Sequence, residues 1–121
     1  MKFRILVSAA LGAAALSVGT AHAAGSATNG QNVYASQCAM CHDTGIGPSL
    51  AGIYGKPAAG VAGYAYSAAL KNAKLTWNDA TLDKFLTAPQ TAVPGTKMTF
   101  QGVTSASDRA DVIAYLAAQA K

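Results

Sequence analysis

The segment Cys38-Ala39-Met40-Cys41-His42 constrains this chain of 121 residues more than any other feature. Its pattern, C-x-x-C-H, is the attachment signature of c-type haem. Each cysteine thiol can add to one vinyl group of haem, and a helical turn brings two cysteines at this spacing within reach of neighbouring vinyl groups. His42 then falls beneath the iron as the candidate proximal ligand. The sequence therefore predicts one covalently bound haem c.

Three other interpretations of this segment stay open beside haem attachment. A closed zinc site needs four Cys or His ligands, whereas the chain has two of each, and His22 lies in a segment that we expect to be removed. A thioredoxin-like redox pair expects a βαβ context, and no strong strand pattern lies near Cys38. The third interpretation is that the pattern occurs by chance, and the residues that follow it argue against this.

The first 23 residues have the features of a secretory signal peptide. Two basic residues open the chain, the run 5–18 is mostly apolar, and Ala21-His22-Ala23 fits a small-x-small cleavage site. Because the apolar run is short for a membrane span, we expect cleavage after Ala23, with an uncleaved anchor as the alternative. The predicted organisation is a signal peptide, residues 1–23, and a single domain, residues 24–121, located in the periplasm.

The charge balance excludes one class of partner. The chain has 9 basic and 5 acidic residues, and loss of Lys2 and Arg4 with the signal peptide leaves 7 against 5, a net charge near +2. Domains that bind nucleic acid usually carry a stronger basic excess, so we expect no nucleic-acid partner. Export agrees with haem attachment, because bacteria form these thioether bonds outside the cytoplasm.

The pattern of caps, apolar spacing and turn residues predicts an all-α fold of short helices and irregular loops. Thr28 or Asn29 can cap the first helix, and Thr76-Trp77-Asn78-Asp79 and Ser105-Ala106-Ser107-Asp108 resemble capping boxes. Pro89 cannot continue a helix, so we expect the helix before it to end there. The expected helices span about residues 28–37, 67–74, 77–88 and 105–120. Two long loops are also expected. The first, 43–63, is rich in glycine and proline, and the second, 89–103, begins at Pro89.

Met98 is the candidate for the second axial position of the iron. No other histidine remains after signal cleavage, and Met40 lies inside the attachment segment, from which it cannot reach the opposite face of haem. A loop methionine taken alone is more often a packing residue. Here no other residue is a candidate for this position. Ligation by methionine and histidine raises the haem potential and suits electron transfer.

These residues make the chain resemble a class I cytochrome c, of the small exported bacterial kind close to mitochondrial cytochrome c. The resemblance covers residues 28–120 and includes Gly47-Pro48-Ser49-Leu50 and the run Pro94-Gly95-Thr96-Lys97-Met98-Thr99-Phe100. It implies a cytochrome c-like fold around one haem, with Met98 as a ligand. It also implies that the Pro48 carbonyl accepts a hydrogen bond from His42, which fixes the orientation of the imidazole.

The resemblance also assigns roles away from the iron. Tyr66 and Trp77 match positions whose polar hydrogens bond a buried haem propionate. The packing contact between the first and last helices is implied for Gly30, Tyr34 and Tyr115. Phe85, Leu70 and Lys56 depart from residues common among close relatives, namely tyrosine, asparagine and arginine, and they imply a drier haem pocket.

The expected function is that of a soluble one-electron carrier, cycling between Fe(II) and Fe(III), and not of an enzyme. Its expected partners are membrane or periplasmic redox complexes, with no small-molecule substrate, and the protein is expected to be a monomer. Lys97 is expected on the face where the haem edge reaches the surface. The alternatives are a small haem peroxidase and a gas-binding haem module, each with an open iron site, which a filled Met98 position disfavours.

Overall fold

The computed structural model describes residues 25–120, so the predicted signal peptide lies outside the described part of the chain. The helices are α1 (Ala27–Gln37), α2 (Ala39–His42), α3 (Ala68–Ala73), α4 (Asp79–Thr87), α5 (Pro89–Ala92) and α6 (Ala106–Ala118). Within residues 25–120, the only β-type pairing is an isolated bridge between Pro57 and Thr76. The all-α prediction is confirmed. No helix of this part of the chain is long and apolar enough to cross a membrane.

The first and last long helices cross at Gly30. A Cβ atom built on Gly30 would lie 1.9 Å from the carbonyl oxygen of Asp111 in α6, so the backbones approach more closely than any side chain permits. Beside this crossing, the rings of Tyr34 and Tyr115 pack with centroids 5.4 Å apart. The contact between first and last helices that the resemblance implies for these residues is confirmed.

The start of α1 differs from the prediction. Ser26 is the N-cap, rather than Thr28 or Asn29, and its hydroxyl accepts a hydrogen bond from the backbone N–H of Asn29 at 3.2 Å. The backbone N–H of Ser26 donates to the Asp111 carboxylate of α6 at 2.7 Å. This tertiary anchor selects the cap, and it comes from a residue 85 positions away in sequence.

The helix predicted from Trp77 begins two residues later, at Asp79. The backbone of Trp77 is held by the loop before α3: its N–H donates to the Lys56 carbonyl at 2.9 Å, and its carbonyl accepts from the Gly55 N–H at 2.6 Å. This pairing keeps Trp77 out of the helix. Asn78 is therefore the N-cap, and it forms the capping box with Thr81.

The second predicted loop, 89–103, contains one helical turn, α5. Pro89 occupies its first position, where the missing N–H of proline costs nothing, and the proline side chain is fully buried. The Val93 N–H donates to the Pro89 carbonyl at 2.9 Å, and Val93 is also buried. The prediction of a stop after α4 is correct, but the proline also opens a new turn.

The hydrophobic core lies between α6 and the two helices that pack against it, α1 and α4. Leu82, Phe85 and Leu86 of α4 and Val112, Ile113 and Leu116 of α6 are buried in it. Arg109 of α6 connects to α4 through an ion pair with Asp83 at 2.9 Å. The ring of Phe85 packs on that of Trp77, with centroids 5.1 Å apart, and both rings border the cavity described next.

Candidate haem-binding site

A cavity of about 800 Å³ lies beside the core. This volume is within the range of small-molecule and cofactor sites, about 300–1,000 Å³. Much of its wall is apolar and includes Leu50, Ile53, Leu70, Leu82 and Phe85. The structure brings the seven predicted site residues to this one cavity: Cys38, Cys41, His42, Pro48, Tyr66, Trp77 and Met98.

The attachment segment forms the predicted helical turn. Cys38 ends α1 and precedes α2, and its carbonyl accepts hydrogen bonds from the N–H groups of Cys41 at 3.2 Å and His42 at 3.0 Å. Both thiols are free, and they border the cavity together with the imidazole. The turn therefore presents two thiols and one imidazole to the same space, as the haem interpretation requires.

The electrostatics of Cys38 argue against the thioredoxin-like alternative. Burial raises the pKa of the Cys38 thiol to about 11, with smaller contributions from Asp43 and Cys41. A reactive redox cysteine needs a lowered pKa, because the thiolate is the nucleophile. Among the described residues, no three Cys, His, Asp or Glu side chains lie close enough together to hold a metal ion. The zinc interpretation therefore gains no support from these residues.

The imidazole of His42 is held by its neighbours in the loop. Its Nδ1 atom lies 2.7 Å from the Pro48 carbonyl oxygen. A carbonyl can only accept, so Nδ1 carries the hydrogen, and Nε2 of the neutral ring keeps a free lone pair. A Cβ atom on Gly47 would lie 3.0 Å from both Cε1 and Nδ1 of the ring. Gly47 thus leaves the space that the ring needs to reach Pro48.

Met98 reaches the cavity from the loop after α5. Its backbone N–H donates to the Thr96 hydroxyl at 3.3 Å, and its carbonyl accepts from the side-chain amide of Gln90. The same Gln90 nitrogen lies 3.3 Å from the Thr96 carbonyl. The role of Gln90 is not evident from the sequence, because a polar residue in an expected loop carries no local sign of a partner eight positions away.

Tyr66, Trp77 and Lys97 complete the lining. The Tyr66 hydroxyl accepts a hydrogen bond from the Val61 N–H at 3.0 Å, which leaves its own hydrogen free to donate. Trp77 is buried and has one donor, the indole N–H. The Lys97 ammonium donates to the Ala65 carbonyl at 3.1 Å, so it joins the loop that carries Met98 to the loop that carries Tyr66.

Three comparisons with known proteins show which family this chain belongs to. Residues 27–120 match the Cytochrome c family. The chain is 45% identical over 117 residues to cytochrome c2 of Rhodomicrobium vannielii, covering 92% of this chain and 93% of that protein. It is 44% identical over 97 residues to cytochrome c of Euglena viridis, covering 76% of this chain and 95% of that protein. The solved structure of cytochrome cH from Methylobacterium extorquens superposes with a TM-score of 0.74 at 43% identity, covering 78% of this chain and 99% of that one.

Proposed function

Because this chain belongs to the cytochrome c family and carries electrons through covalently attached haem c, we propose that His42 and Met98 are the axial ligands of its iron. The hydrogen bond between His42 Nδ1 and the Pro48 carbonyl, in the cavity that Met98 also lines, carries the proposal. It frees Nε2 for a metal and strengthens the imidazole as a donor. A histidine nitrogen with a methionine sulfur is the donor set of electron-transfer cytochromes c.

The remaining site residues have supporting roles in this proposal. Bound haem supplies the one-electron couple between Fe(II) and Fe(III). Cys38 and Cys41 would anchor its vinyl groups, and Tyr66 and Trp77 would donate hydrogen bonds to a propionate. The apolar wall excludes water, which limits the solvent that must rearrange when the charge on the iron changes.

This ligand set opposes both alternatives, a small haem peroxidase and a gas-binding haem module. A peroxidase or a gas-binding module needs an open position on the iron, and Met98 would occupy that position. A peroxidase usually also needs an acid/base group near the iron, but His42 is the one histidine after the predicted cleavage site and the chain has no glutamate. We therefore assign electron transfer, without catalysis of a substrate reaction.

The proposed location is the periplasm, with the signal peptide cleaved near Ala23. The protein is proposed to be a monomer whose partners are membrane or periplasmic redox complexes. Met40 and Ile46, the large apolar side chains most exposed in the described residues, border the cavity and are 78% and 68% exposed. Lys56 and Lys97 supply positive charge at the same border. This border is the proposed face for electron exchange.

Replacement of Met98 tests the ligand assignment. Met98→Ala should abolish the weak methionine-to-iron absorption band of the oxidised holoprotein, admit carbon monoxide to the reduced iron and lower the reduction potential. Met40→Ala is the matched control, because Met40 is exposed and lies inside the attachment segment. A Met98→Ala spectrum identical to that of the wild type would show that the ligand lies elsewhere.

Intact mass of the exported protein tests attachment and processing together. The expected mass is that of the chain from Ala24 plus one haem, and the double variant Cys38→Ala, Cys41→Ala should lose the covalent haem. Unmodified thiols in exported wild-type protein would contradict the cofactor roles of these two cysteines. A chain that keeps residues 1–23 would contradict only the cleavage.

A further inference from the structure

The backbone of Met98 is held by side chains alone. Within residues 25–120, no backbone-to-backbone hydrogen bond of the loops involves Met98. Its N–H donates to the Thr96 hydroxyl and its carbonyl accepts from the Gln90 amide. The position of the methionine therefore depends on two neighbouring side chains rather than on a helix or sheet.

The backbone of Gln90 is fixed in a helical turn, and its side-chain amide extends to two carbonyls. It follows Pro89, which is fully buried, in the single turn of α5, and the bond from the Val93 N–H to the Pro89 carbonyl closes that turn. A primary amide has two N–H hydrogens. The Gln90 amide can therefore donate one to the Thr96 carbonyl and the other to the Met98 carbonyl, the two acceptors that it contacts.

We infer that Gln90 is a positioning residue for Met98 and sets how often the methionine leaves the iron. The inference rests on the proposed function, in which the Met98 thioether is an axial ligand. Gln90 bonds the carbonyls on both sides of Lys97, so the segment from Thr96 to Met98 cannot swing outward without breaking both hydrogen bonds. Thr96 is itself buried. The segment is therefore fixed at Thr96 by burial and at Met98 by the hydrogen bond from Gln90.

The clamp requires a donor, and two variants separate donation from size. Gln90→Glu keeps the shape of the side chain, but an ionised carboxylate only accepts hydrogen bonds and would face two carbonyl oxygens. Gln90→Leu removes the polar atoms without adding a charge. Gln101→Leu is the matched control, because Gln101 is an exposed glutamine of the same loop.

The experiment measures binding of imidazole to the oxidised holoprotein by stopped flow, at a pH high enough that imidazole is mostly neutral. At low imidazole concentration, where opening of the methionine position is a fast equilibrium that precedes binding, the observed rate is proportional to the open fraction of Met98. Loss of the clamp should raise that rate at least about 5-fold in both Gln90 variants, the low end of the range expected for two net hydrogen bonds. Gln101→Leu should bind imidazole at the wild-type rate.

A second control separates the clamp from general stability. Asn29→Ala removes a hydrogen bond to Asp111 in the contact between α1 and α6, away from Met98. This variant should unfold at a lower guanidinium concentration while its imidazole rate stays at the wild-type value. Faster binding in Asn29→Ala, to the same extent as in Gln90→Leu, would show that the rate follows global stability and would overturn the inference.

The outcomes separate the inference from the function on which it rests. A methionine band in the wild type, with unchanged imidazole rates in both Gln90 variants, would overturn the positioning role and leave Met98 as the ligand. A wild type without that band would overturn the ligand assignment and the inference with it. We expect the methionine-to-iron band in the wild type and in Gln90→Leu. Imidazole should displace the methionine faster in both Gln90 variants than in the wild type.

Discussion

Replacement of Gly30 by alanine tests whether the crossing of α1 and α6 supports the fold. The added Cβ atom would lie 1.9 Å from the Asp111 carbonyl oxygen and 2.8 Å from the Cβ of Tyr115. Real Cβ contacts begin at about 3.0 Å, so α1 must move away from α6 by about 1.1 Å. The obstacle is the backbone of α6, which cannot turn aside as a side chain could.

The expected cost follows from two opposing effects. Overpacking costs typically about 1–3 kcal/mol, and we take the upper value because the clash is with backbone. Alanine is better than glycine in a helix interior by about 1 kcal/mol. The net destabilisation is therefore about 2 kcal/mol, or roughly 8–16 °C in the melting temperature of a domain of this size.

Guanidinium and thermal unfolding of the holoprotein, followed by circular dichroism, would measure this effect. Asn32→Ala is the control, because Asn32 is an exposed residue of the same helix, and it should be neutral or slightly stabilising. A Gly30→Ala protein as stable as the wild type would refute the argument, since it would mean that the helices can separate at no cost.

The other predictions concern the site and two surface interactions. Gly47→Ala places a methyl group 3.0 Å from the imidazole of the proposed proximal ligand, so it should destabilise the holoprotein by about 1 kcal/mol and shift its reduction potential, measured by redox titration. The bond to Asp79 is the main cause that raises the pKa of Tyr54. The difference in free energy of unfolding between wild type and Tyr54→Phe should therefore be constant from neutral pH to about pH 10 and should decline above it. Denaturant titrations at each pH would measure this difference, and a constant value up to pH 12 would contradict the prediction. Asp83→Ala should cost no more than about 1 kcal/mol, whereas Arg109→Ala should cost more, because the guanidinium also bonds two backbone carbonyls; equal losses on unfolding would refute the distinction.

The sequence by itself determined the features that depend on covalent chemistry and short spacing. The motif from Cys38 to His42 specifies a helical turn that presents its reactive groups on one side. Ser105 caps α6 through the Asp108 N–H, three residues on, and the apolar spacing of α4 marked its buried face. Each of these features follows from residues within about one or two helical turns, so local sequence is sufficient.

Only the tertiary structure decided the features whose partners are distant in the chain. The cap of α1 depends on Asp111, and the start of α4 depends on the pairing of Trp77 with Lys56. The backbone of Met98 depends on Gln90, across a turn that the sequence suggested was irregular. In each case hydrogen bonds to another part of the chain hold the backbone. The local sequence cannot specify these bonds, because their partners arrive only when the chain folds.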